Sequence, residues 1–162
     1  MSNLLFQAPI KYEPLRQNRF IFSFPADTGI QSWWVSSSSM PSIQQKDIEI
    51  PFMNTSTWVL GRYVWDSIQV KLKSLIGPST SQAIMEWVRL GSESVTGRQG
   101  YAAGYKRNVT IQMLDPTGVA VQKWVLINAF ITTANFGPLD YGSDTLSEID
   151  ITLRYDYAIL VY

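Results

Sequence analysis

Cysteine and histidine are both absent from this 162-residue chain. Without cysteine there is no disulfide framework and no thiolate metal site. Without histidine the commonest general base and the commonest metal ligand are missing, so an enzyme built on this chain would work with carboxylates, Lys or Tyr. No run of about 18 apolar residues occurs, so no segment is expected to cross a membrane as a helix. The opening MSNLLFQAPIKYEPL has no basic stretch followed by a long apolar core and does not read as a signal peptide. A surplus of charge is missing too: 13 Lys and Arg oppose 13 Asp and Glu. A specific nucleic-acid binder usually carries a basic excess, and zero net charge does little to hold copies of a chain apart.

What is present is enough apolar material for a core, 46% of the residues, in a length that suits one domain over 1–162. Most of it alternates with polar residues, the two-residue period of a half-buried strand. Residues 18–24 put Phe20, Phe22 and Phe24 on one face, and 32–38 is expected to be the hairpin partner of that strand. A short strand over 43–50 ends at Pro51, which stops it or marks a sheet edge. A further strand over 57–63 is kinked at Gly61. Over 65–75, Ile68, Val70 and Leu72 alternate with Gln69, Lys71 and Lys73, so one face is buried and one is wet. The only helix is expected over 79–91. The hydroxyls of Ser79, Thr80 and Ser81 suit its start, Ile84, Trp87 and Val88 form its inward stripe, and Gly91 suits its end. Strands follow over 107–114, 121–132 and 147–157, with a turn at Asp115–Gly118. The faces of 121–132 are both largely apolar, which suggests a sheet covered on both sides. The fold class is mainly β: a two-sheet sandwich or barrel with one external helix.

Two segments carry apolar residues with no evident partner in their own chain. One is an extended N-terminal arm over 1–17, with Leu4, Leu5 and Phe6. The other is a long excursion between strands over 51–64, with Phe52, Met53, Asn54, Trp58 and Leu60. Both are expected to contact other subunits.

No set of residues reads as catalytic, and no metal or cofactor is expected. The pairs Asp47/Glu49 and Asp150/Asp156 fall on strand faces where exposure is ordinary; Asp140/Asp144 falls in a loop. The glycines of 91–104 lack the Gly-Lys-Ser/Thr ending of a phosphate loop. Lys71, Lys73, Lys106 and Arg107, with Tyr101 and Tyr105, could flank single-stranded nucleic acid; a strand edge guarded by Lys accounts for them better.

The chain resembles the tail tube protein of contractile-tailed, T-even-like bacteriophages over nearly its whole length. The resemblance runs through Asn18-Arg-Phe20, Met40-Pro41, Ile48-Glu-Ile-Pro-Phe-Met-Asn54, Gly61-Arg62 and Trp65–Val70. It continues through Glu86-Trp87, Leu114-Asp-Pro-Thr-Gly118 and Leu153-Arg-Tyr-Asp156, and Ile48–Asn54 is its most specific part. It implies stacked, hexameric rings whose sheets join into one larger β-barrel around a lumen. It further implies sheath and baseplate partners, a tape-measure protein and DNA in the lumen without sequence-specific binding, and a place in the virion after assembly in the host cytoplasm. The expected lumen-facing residues are Asp47, Glu49, Gln69, Lys71 and Lys73; the face of Asp150, Thr152, Arg154 and Asp156 competes with them. A ring that initiates the tube at the baseplate, and the secreted tube of a type VI system, are related alternatives. A carbohydrate- or nucleic-acid-binding sandwich using Trp33, Trp34 and Tyr101 is the alternative from a different class.

Overall fold

The computed structural model describes residues 13–162. Leu4, Leu5 and Phe6, and with them most of the expected arm, lie outside the described residues. Nine strands form: β1 (Phe20–Ser23), β2 (Val35–Ser38), β3 (Ile43–Phe52), β4 (Thr55–Trp65), β5 (Ile68–Lys73), β6 (Arg107–Leu114), β7 (Ala120–Asn135), β8 (Glu148–Arg154) and β9 (Tyr157–Leu160). Two helices, α1 (Thr80–Gly91) and the single turn α2 (Ala102–Tyr105), lie between β5 and β6.

Seven strands make one antiparallel sheet in the order β1-β6-β7-β8-β5-β2, with β9 added beside β7. The sheet behaves as two halves because β7 serves both. Its first part pairs with β6 on one side and β9 on the other; its last part, from Phe130 onward, pairs with β8. Phe22, Val109, Ile111 and Leu126 of one half and Val70, Leu72, Ile149, Ile151 and Leu153 of the other belong to one buried cluster. The two inner faces therefore share a core, the arrangement in which a strand turns a corner between packed layers. The described residues are mainly β and form no closed barrel.

The corner is at Asn128, whose backbone is left-handed at φ 56, a conformation that Asn tolerates better than most residues. Leu126 is buried before it and Ala129 after it, so the inward positions change from even to odd. That shift is one reason the 121–132 stretch looks apolar all round; the other is partial cover of its outward side, where Val125 and Ile127 are half-buried and Tyr105 packs edge to face on Phe130 at 5.6 Å. Asp156 braces the corner: its carboxylate accepts from Asn128 Nδ2 at 2.8 Å and from Lys106 Nζ at 3.3 Å. These contacts, the Asn128 hydrogen bond first, hold the Asp156 pKa below the ordinary carboxylate value. A depressed carboxylate pKa stabilises the fold above the unfolded pKa of about 3.9 and loses that contribution as pH falls through the lower, folded value. Asp156→Asn should therefore flatten the acid limb of a thermal-melt series run from about pH 6 to pH 2, a range set to bracket that ionisation. An unchanged acid limb in the variant would show that the brace carries no stability.

Helix α1 starts where its hydroxyls place it. Ser79 Oγ caps it by accepting from the Gln82 N–H at 3.3 Å, and Thr80 Oγ1 donates to the Lys73 carbonyl at 2.9 Å. Ile84 and Trp87 are buried and Val88 is half-buried against the core. The glycine-rich loop folds back on the C-terminal end of α1: Gly100 N–H donates to the Gly91 carbonyl at 3.0 Å. A Cβ at Gly100 would lie 2.1 Å from the Leu90 carbonyl oxygen, so glycine is needed there for close approach. The negative end of a helix dipole repels phosphate, which removes the remaining case for a phosphate loop.

Expected strand pairings and bounds differ from those observed in several places. Segment 32–38 does not pair with β1, which pairs with β6; two 3-10 turns, Ala26–Thr28 and Ser32–Trp34, carry the chain across so that β2 pairs with β5. Of the two readings of Pro51 the edge one holds: β3 runs on to Phe52, because a two-stranded ribbon leaves one edge of each strand without a ladder and proline is tolerated there. Trp65 closes β4 instead of opening β5. The last strand breaks at Asp156, so Tyr157 opens β9 beside β7 and does not continue β8.

Candidate assembly surfaces

The stretch 51–64 is not an irregular excursion. It is the outer part of a long hairpin in which β3 and β4 pair from Ile43↔Trp65 to Phe52↔Thr55. In β3 the run Asp47–Phe52 alternates acidic or proline residues with Ile48, Ile50 and Phe52, whereas β4 carries apolar residues on both faces, and Met53-Asn54 form the turn. Gly61 permits the bulge in β4 opposite Lys46: the Ile48 side chain lies 3.1 Å from where a Cβ at Gly61 would be. The hairpin continues the β2/β5 pair beyond the sheet. At its base Ser42 Oγ and Gln44 Nε2 both donate to Asp66 Oδ2 at 3.1 Å, and Trp65 packs on Tyr155 at 6.2 Å between ring centres. Beyond that base β3 packs chiefly against β4.

The register assigns the side chains of the hairpin to two faces. Asp47 and Glu49 share one with Leu60, Trp58, Tyr63 and Trp65; Ile48, Ile50, Phe52 and Val59 share the other. Neither face is covered by the described residues. Phe52 is 69% exposed, Leu60 72% and Met53 91%. A protein normally buries such a strip or uses it for contact with another molecule.

The second surface is the outward face of β2, β5, β8 and the last part of β7. Gln69, Lys71 and Lys73 project there, directly opposite Thr152, Asp150 and Glu148 of β8. The two competing faces of the sequence reading are thus one face, apart from Asp156, which braces the corner. Cationic and anionic side chains alternate across the strands, flanked by Ser36 and Ser37 of β2 and Thr133 and Asn135 of β7. Lys71 and Lys73 guard no edge, because β5 is an interior strand. Asp47 and Glu49 do not join this surface. They share the hairpin face that, at Trp65, turns toward the core, whereas Gln69, Lys71 and Lys73 point away from it.

The other sequence candidates separate. Trp34 is 1% exposed, so it cannot offer a stacking platform beside Trp33. Lys106 and Arg107 are bound to Asp156 and Asp27, so their charges are already partnered and add no free basic set to Lys71 and Lys73. Among the described residues no group of three His, Cys, Asp or Glu could hold a metal, and no helix is long and apolar enough to cross a membrane.

This arrangement recurs in solved structures. A chain of the sheath/tube terminator of the PVC extracellular contractile injection system, in its extended state, superposes with a TM-score of 0.72 at 21% identity. The match covers 94% of this chain and 99% of that one. The tube-terminating cap of the anti-feeding prophage gives 0.71 at 19% identity over 99% and 98%. A chain of the PVC sheath–tube complex gives 0.70 at 22% identity over 93% of each. The chain has the fold of contractile tube proteins. No protein-family model matches it, and no curated protein sequence does. Strand pairing also shows what the sequence did not reveal: among the described residues β2 and the last part of β7 are the two edges of the polar half.

Proposed function

We propose that this chain is a structural subunit of the tube of a contractile machine, and in its finer form of a contractile phage tail. In this reading subunits close into rings, hexameric by the phage resemblance, and the rings stack. The observation that carries it is the projecting β3–β4 hairpin, whose apolar side chains on both faces find no cover among the described residues. Phe52, Met53, Trp58 and Leu60 would meet the adjacent ring, with Asn54 at the tip. The polar face of Gln69, Lys71, Lys73, Glu148, Asp150 and Thr152 would line the lumen. Opposite charges set side by side across β5 and β8 hold no strong field of either sign, which suits a conduit through which DNA slides without being gripped. Sheath, baseplate and tape-measure proteins would be the partners, and the virion tail the location.

A second reading keeps the fold and limits assembly to one ring, as an initiator or terminator. The high coverage of the prophage cap and the PVC terminator favours it. Negative-stain microscopy of the purified protein, concentrated and seeded, separates the two: long tubes support the first reading and discrete rings the second. Persistent monomers would reject both. In assembled material Gln69→Cys and Lys71→Cys should be shielded from a bulky thiol reagent that labels both in the monomer. Fast labelling of both in intact tubes would remove this face from the lumen.

A further inference from the structure

The half of the sheet that holds β1, β6 and the first part of β7 ends at β9. Among the described residues no strand pairs with the other side of β9. Val161 and Tyr162 prolong it: the Val161 N–H donates to the Lys123 carbonyl at 2.8 Å, and the Lys123 N–H donates to the Tyr162 carbonyl at 3.0 Å. From Tyr157 to Tyr162 there is no charged side chain and no proline, the usual guards of a sheet edge. Tyr157, Ile159, Leu160, Val161 and Tyr162 are each between 43% and 54% exposed. The register sets Ala158 beside Leu126 and Leu160 beside Trp124 on the core side, and Tyr157 beside Ile127 and Ile159 beside Val125 on the outer side. An edge that is apolar on both faces is a template for another strand.

The chain itself supplies a strand at the right place. Glu13, Pro14 and Leu15 line one groove with Leu114 and Val121, at the turn that joins β6 to β7. Tyr162 lies beside Lys123, a short way along β7 from Val121. Residues 1–12 therefore lead off from the end of the sheet at which β9 finishes. Over 4–12 the sequence has a period of two: Leu4, Phe6, Ala8, Ile10 and Tyr12 are apolar, with Gln7, Pro9 and Lys11 between them and Leu5 the exception. Proline suits an outermost strand. At about 3.3 Å per residue this stretch spans about 30 Å and Tyr157–Tyr162 about 20 Å, so it is long enough to cover the edge.

We propose that residues 4–12 add to the open side of β9 in their own subunit, with Leu4, Phe6, Ala8, Ile10 and Tyr12 toward the core side, where Ala158 and Leu160 stand. β9 runs toward the β6–β7 turn and the arm arrives at that turn, so the added strand is parallel to β9. A parallel ladder is slightly weaker per residue than an antiparallel one. The tether offsets this, because a segment joined through a short linker meets its site at an effective concentration in the millimolar range. The added strand extends the core over Leu160 and Tyr162 and takes the place of the missing edge guards. It keeps unassembled subunits from adding to one another through β9. This goes beyond the tube reading and does not rest on it.

Because the chain has no native cysteine, disulfide trapping in the full-length, unassembled protein tests the contact. Leu160→Cys is combined in turn with Ala8→Cys, Ile10→Cys and Tyr12→Cys, which share its face, and with Gln7→Cys and Lys11→Cys, which do not. Neighbouring strands lie about 4.8 Å apart, within disulfide reach for side chains on one face. Such a link closes nearly the whole chain into a loop, so on a denaturing, non-reducing gel the linked monomer runs ahead of the open one. Dilute protein, oxidised, should shift mostly to the faster band for at least one of the three same-face pairs and stay in the slower band for the other two. Equal linking at both sets would overturn the strand, and no linking at any position would overturn the docking. Links that appear only as dimers would overturn the assignment to the same subunit. Each result is read before any ring forms, so it stands apart from the outcome of the tube experiments.

Discussion

Phe52→Glu/Met53→Glu should abolish ring stacking and leave the subunit folded. Both side chains stand at the hairpin tip and are mostly exposed, so the subunit loses little when they change. Burial of one such side chain against a partner is worth about 1.5–3 kcal/mol, and about 1.4 kcal/mol corresponds to a tenfold change in an equilibrium constant. Loss of both contacts, with carboxylates introduced at a closed interface, should raise the concentration needed for tubes by at least about a hundredfold on that scale. Light scattering and microscopy read the assembly, and circular dichroism reads the fold. Tubes of ordinary length at ordinary concentration would show that the tip makes no inter-ring contact.

Trp87→Ala should destabilise the subunit by roughly 3–5 kcal/mol, the usual range for emptying a buried tryptophan site. Trp87 is buried against the sheet, meets Phe24 edge to face at 6.0 Å, and donates from Nε1 to the Tyr105 carbonyl at 2.8 Å. Its loss leaves a cavity and removes the partner of that carbonyl, which adds the cost of an unpaired group. Urea unfolding at fixed pH measures the change. A loss below about 1 kcal/mol would mean that the α1 face does not seal the core. The two variants together distinguish a subunit that cannot fold from one that folds and cannot stack.

The local pattern was legible wherever one period governed a whole element. Strand β6 falls at the bounds its alternation suggests, and the buried side of β5 and the capped start of α1 follow from their residues directly. Partner choice was not legible. β1 pairs with β6 across about 90 residues, and no short-range signal names that partner. The hairpin was hidden by Pro51 and Gly61, both of which usually break strands, yet a free ribbon edge accepts the proline and a bulge uses the glycine. In β7 the change of inward parity at Asn128 hid the corner, because apolar residues run through both faces of the stretch on either side of it. The proposed lumen set was split for the same reason: Asp47 and Glu49 look like Gln69 and Lys71 in sequence, and only the turn of the chain at Asp66 separates their faces.

The projecting hairpin has a kinetic consequence. A ribbon of two strands is only marginally stable in water by itself, and this one receives support from its own subunit mainly at Trp65 and Asp66. In the proposed assembly its far end would gain most of its order when it docks. A finished ring offers several docking places at once, and one arriving subunit orders its ribbon against a surface that is already in place. Two free subunits offer each other no such surface, and both must order their ribbons in the same encounter. The first ring is then slow to appear and every later one is fast. Growth should show a lag that vanishes when preformed rings are added, so that tube number follows the number of starting points and not the amount of protein made.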